Sequence, residues 1–149
     1  MKFVTSVSGR ACLNDWDHPL HVSDILNLLL ALKRAVAAAG NQVILLLVLR
    51  EAVPAPAGFL LTCLQGTLPA ILDCCEHLVI VVEGASADRS SLRAAFQTTR
   101  RTATKRTPPQ VFESLSAAFE HTQRYAPHDV LELQRHVLHQ SFPPSGRRP

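Results

Sequence analysis

The chain predicts an α/β domain built on a small, mostly parallel sheet, with an N-terminal hairpin and helices packed mainly on one side. Three observations carry that prediction. Residues 43–49 (VILLLVL) and 78–82 (LVIVV) are almost purely apolar and β-branched-rich, yet too short for ordinary helices, which is the pattern of strands covered on both faces. Between them the apolar residues recur at helical spacing, and a strand, a crossover helix and a second strand imply a right-handed parallel unit. Residues 2–7 alternate in side-chain character, and Ser8-Gly9 supplies turn chemistry before Ala11, Cys12 and Leu13, so the sheet begins with a hairpin.

The remaining elements follow in order. Residues 14–20 contain Asp15, Asp17 and Pro19 and read as a loop. Ser23 is placed to cap a helix whose Ile25, Leu29, Leu32 and Val36 share one face, and Gly40 ends it in the left-handed conformation. Pro54, Ala55 and Pro56 form a stiff connection to a helix over residues 59–74, which Gly66 and Pro69 should break or kink. After Gly84, Ser86 or Asp88 caps a helix that buries Leu92, Ala95, Phe96 and Thr99. Residues 102–107 suit a short edge strand, polar as edges are. Ser114 caps a helix with Leu115, Ala118, Phe119 and Thr122 inward, and Pro127 opens a last one through Val130, Leu133 and Val137. One domain over residues 1–141 and a flexible tail over 142–149, rich in proline and arginine, complete the organisation.

Composition narrows the class. With 149 residues, 47% hydrophobic and 18% charged, the chain is long enough for one core and too apolar for disorder. No apolar run approaches the roughly 20 residues of a membrane span, so no spanning helix is expected, although surface association stays open. Residues 1–14 carry no secretory pattern, and the four cysteines then suit reduced, buried thiols in the cytoplasm. The net charge of +3 is divided unevenly: residues 1–83 hold five basic and seven acidic side chains, residues 84–149 ten and five.

The stretches "VILLLVLREAVPAPAGFLLTCLQGTLPAILDCCEHLVIVVEG" and "PPQVFESLSAAFEHT" resemble the STAS and SpoIIAA-like group of domains. That resemblance implies a small sheet with helices mainly on one side and a role in protein–protein regulation rather than catalysis. Anti-sigma-antagonist members keep a phosphorylatable serine after the central strand; here residues 51–58 read EAVPAPAG and offer no hydroxyl. The resemblance therefore implies binding without that form of control, and its lipid-binding relatives keep an apolar ligand in view.

Constellations of reactive residues are few. Cys63, Cys74, Cys75 and His77 have the right types for zinc, but closed sites draw on ligands paired two to four apart, so buried thiols are the better reading. Asp73 and Glu76 beside them oppose a reactive thiolate. Glu132, His136 and His139 share a helix face with no fourth ligand, and His18 and His21 lie among carboxylates with no nucleophile or anion cradle. No catalytic residue, metal ligand or cofactor is assigned. The charge feature that stands out is residues 89–106, where Arg89, Arg93, Arg100, Arg101, Lys105 and Arg106 occur with no acidic residue. A solvated basic face is its plain reading; an acidic protein partner is the sharper one, and without stacking aromatics nucleic acid is not expected.

The expected function is a non-catalytic interaction or regulatory module. It would bind a protein partner through Glu51, Pro54, Pro56 and Phe59 together with Arg89, Arg93, Arg100 and Arg101. Surplus apolar helix faces also admit a homodimer. The rival is a binder of a lipid or other apolar ligand, held between the 59–74 helix and the sheet.

Overall fold

A computed structural model describes residues 2–99 and 108–141, with side chains to Val137. Among the described residues five strands form one sheet in the order β1-β2-β3-β4-β5: β1 (Lys2–Thr5), β2 (Ala11–Trp16), β3 (Val43–Leu49), β4 (Cys75–Val82) and β5 (Gln110–Phe112). The β1–β2 pair is an antiparallel hairpin, and every later pairing is parallel. The expected α/β class with its mostly parallel sheet and N-terminal hairpin is the one observed.

Five helices among the described residues cover the sheet: α1 (Val22–Ala39), α2 (Gly58–Asp73), α3 (Ala87–Gln97), α4 (Leu115–Thr122) and α5 (Pro127–Ser141). The first three are crossovers and pack on one face, over Cys12, Trp16, Leu45, Leu47, Leu49, Leu78, Ile80 and Val82. The last two close the other face, over Ala11, Leu13, Ile44, Leu46, Val48, Val79 and Val81. Because successive side chains of a strand point to opposite faces, a strand between two layers must be apolar throughout, and β3 is buried at all seven positions.

Local chemistry differs from the sequence expectations at several points. The N-cap of α1 is His21, whose backbone N–H donates to Asp24 Oδ2 at 2.8 Å, so Ser23 lies inside the helix. Gly40 ends it at φ 73°, as expected. Residues 14–16 belong to β2 rather than a loop, because Asn14, Asp15 and Trp16 pair with Leu47, Val48 and Leu49 of β3. Helix α2 runs through Gly66 and Pro69 without a break. The carbonyl that Pro69 leaves without a donor belongs to exposed Gln65, where water reaches it. Strand β4 starts at Cys75, three residues earlier than expected, and bulges at Glu76, between the Val43–Cys75 and Ile44–His77 pairings. Ser86 caps α3, and Ser114 caps α4. The expected strand at 102–107 and the tail at 142–149 lie outside the described residues.

Candidate protein-binding surface

The parallel strands deliver their last residues to one edge of the sheet, and that edge is held by arginines. Asp15, Arg50 and Glu83 lie at the ends of β2, β3 and β4. Arg50 grips Asp15 through two bonds, Nε to Oδ1 and Nη2 to Oδ2, both 2.9 Å, and sits 3.7 Å from Glu83. The Asp15 carboxylate raises the guanidinium pKa above its ordinary value, outweighing desolvation.

Arg89, on the first turn of α3, turns inward. Its Nη1 donates to the carbonyls of Glu83 (2.8 Å) and Arg50 (3.2 Å), and its Nη2 to those of Glu51 (2.9 Å) and Val53. Gly84 makes room for it: a Cβ there would stand 2.5 Å from Arg89 Cδ, and the backbone adopts φ 108°. Arg93, one turn on, donates Nη1 to the carbonyls of Val82 (2.7 Å) and Gly84 (2.8 Å), and Nη2 to Ser90 Oγ (3.2 Å).

These contacts correct the basic-strip expectation for the part that is described. Arg89 is 7% exposed and Arg93 8%, so neither belongs to a solvated face. Both satisfy carbonyls that the strand ends and the following loop would otherwise leave without donors. Arg100 and Arg101, with Lys105 and Arg106, lie outside the described residues. Of the loop residues expected to bind a partner, Glu51 and Pro54 are exposed and Pro56 is buried. Phe59, on the first turn of α2, is 75% exposed.

Phe59 has neighbours that the sequence reading missed. Leu61 lines a groove of about 300 Å³ together with Leu92 and Ala95 of α3, so its flank of α2 faces α3. Phe59 stands about 200° around the helix from Leu61, on the side turned away from α3. Lys33 of α1 lies within electrostatic reach of the end of α2: burial pushes the Cys74 thiol up, and the Lys33 charge pulls it the other way. Val22 and Leu26 precede Lys33 by three and two helical turns and share its flank. Val22 (36% exposed), Leu26 (59%) and Leu30 (49%) lie on the outer side of α1, and Phe59 stands on α2, the helix packed beside it. The available signal was numerical: Leu26 and Leu30 fall off the inward face that Ile25, Leu28 and Leu32 fill.

The other candidate constellations disperse. Cys75 points to the α1–α3 face and donates to the Ile71 carbonyl, whereas His77 points to the opposite face and stacks on Tyr125, with ring centroids 3.8 Å apart. The sheet therefore separates His77 from Cys75. Glu132 accepts the Val7 N–H at 2.7 Å, and His18 pairs with Asp17 at 2.8 Å on the surface. Among the described residues no three His, Cys, Asp or Glu side chains converge on a common point. The space between α2 and the sheet, considered for an apolar ligand, is occupied by Leu64, Leu68, Ile71 and Leu72, all fully buried. No described helix is long and apolar enough to cross a membrane. Compared with family models, with curated proteins and with solved structures, the chain matches none.

Proposed function

We propose that the domain is a non-catalytic interaction or regulatory module that docks a protein partner on the α1–α2 seam, with Phe59 as its aromatic anchor. The observation that carries this reading is the exposure of Val22, Leu26 and Leu30 on α1 and of Phe59 on the helix packed against it. Single exposed apolar residues are ordinary, but a contiguous group marks an association surface, and buried aromatics dominate binding energy at such surfaces.

The chain leading into the site is also held by internal bonds. Pro54 and Pro56 stiffen the connection, Arg89 ties down the carbonyls of Arg50, Glu51 and Val53, and Gly58 at φ 60° turns the chain into α2. A surface fixed in this way loses little conformational entropy on binding. The resemblance to STAS-like domains supports a regulatory role of the same kind. The free thiols of Cys12, Cys63, Cys74 and Cys75 suit a reducing cytoplasm.

A benzophenone photo-crosslinking residue placed at position 59, in cells that naturally make the protein, tests the reading. The expected result is a discrete protein adduct at 59 that the same group at exposed position 97 on α3 does not give. Equal labelling at both positions, or none at 59, overturns it.

A further inference from the structure

We infer that the partner seated on this seam is a second copy of the chain, paired through α1 in antiparallel fashion about a two-fold axis between Leu26 and Leu30. The inference rests on the seam being a protein-docking surface and adds who occupies it.

Charge and shape along α1 support self-pairing. The first turn of the helix carries Asp24 and no Lys or Arg, whereas the second half carries Lys33 and Arg34 and no acid. An isologous interface brings each surface against its own two-fold image, so a helix with an acid in its first turn and bases in its second half complements itself only when the two copies run antiparallel. In the register centred between Leu26 and Leu30, Leu26 of each copy meets Leu30 of the other.

The same register carries the flanks. Arg34 lies beside the first turn of the opposing α1, where Asp24 has one carboxylate oxygen beyond the bond it accepts from His21. Lys33 comes over the exposed ring of Phe59, the cation–π arrangement that aromatic faces favour. In this register Val22 falls opposite Arg34 of the other copy, about a turn from the exposed and small Ala37 and Ala38. The opposed helix dipoles add to the same preference.

Sedimentation velocity on the purified full chain, from low to high micromolar concentration, is the test. The expected result is a species of twice the chain mass. Leu26→Glu with Leu30→Glu should leave only monomer, with a far-ultraviolet circular dichroism spectrum that shows the fold retained. Arg34→Glu, on the exposed side of α1, should weaken the dimer about tenfold at low salt, because the two-fold repeats the lost pair, and less at high salt. A wild-type chain that stays monomeric throughout, or a dimer indifferent to Leu26, Leu30 and Arg34, overturns the inference. If the chain is monomeric while position 59 crosslinks a different protein, the docking surface stands and the second copy does not.

Discussion

Replacing Arg89 with methionine removes the donors from four carbonyls at once while keeping most of the side-chain volume. The Val53 bond is buried and the other three are part-buried. One buried carbonyl left without a donor costs about 2 kcal/mol, and three that water partly reaches cost about 0.5 kcal/mol each. Roughly 1 kcal/mol returns because the guanidinium no longer has to be desolvated. The net loss is about 2.5 kcal/mol, which for a domain of this size lowers Tm by about 5–10 °C. Urea denaturation is the assay, with an unchanged m-value as the sign that only stability has moved. Arg89→Lys should recover less than half, since one ammonium cannot serve four carbonyls arranged around a fork. Gly84→Ala supplies a second handle: its clash is with Arg89 Cδ, so it should cost at least ~1 kcal/mol less in an Arg89→Ala background than in the wild type. A loss for Arg89→Met below about 0.5 kcal/mol, the level of an ordinary surface change, would refute the clamp.

Two further outcomes follow from titratable groups in the core layers. Burial, then Arg124 and His77, hold the His121 pKa below its usual 6.5, and its Nε2 is buried without a partner. The unfolded chain therefore takes up the proton first as pH falls through 6.5, stability declines below that value, and the decline stops once pH passes the lower folded pKa. Urea midpoints measured from pH 7 to 5 should show a shallower acid limb in His121→Phe; parallel limbs would count against the assignment. Burial also pushes the Cys12 thiol up to about 11, so at pH 8 it is both neutral and enclosed. Mass spectrometry after iodoacetamide treatment should find Cys12 unmodified in the folded protein and alkylated after denaturation, and rapid native alkylation would contradict the buried placement.

The strands were legible where burial on both faces left no polar alternative. The run VILLLVL admits one interpretation because a single polar side chain would have to enter a closed layer. Residues 14–16 were not legible, because Asn14 and Asp15 read as loop chemistry until β3 is set beside them. The decisive partners of Asp15, namely Val48 in the ladder and Arg50 at the edge, are more than thirty residues away. Arg89 and Arg93 were misjudged for a related reason. A cluster of cations reads as solvated unless the carbonyls awaiting it are known, and those carbonyls come from two separate segments of the chain, residues 50–53 and 82–84. The exposed leucines of α1 were within reach, since one helix face cannot turn Leu28, Leu29 and Leu30 inward together.

The path of the chain through the sheet explains why the candidate surface lies on helices rather than in a crevice. Open parallel sheets bind ligands beyond the carboxyl ends of their strands, where the strand order reverses and two neighbouring loops diverge. Here the order β2-β3-β4-β5 follows the sequence, with all three crossovers on one face, so no reversal opens a cleft. The edge is instead closed by the protein's own side chains. Carbonyls of Arg50, Glu51, Val53, Val82, Glu83 and Gly84 all meet Arg89 or Arg93, and the Asp15 carboxylate meets Arg50. Polar groups that could otherwise have faced a ligand are paired internally. Of the exposed large apolar side chains, Val22, Leu26 and Leu30 stand on α1 and Phe59 on the neighbouring α2. A fold with this closed edge is suited to presenting a surface to another protein, which is why Phe59, Leu26 and Leu30 are the residues on which the functional reading is to be tested.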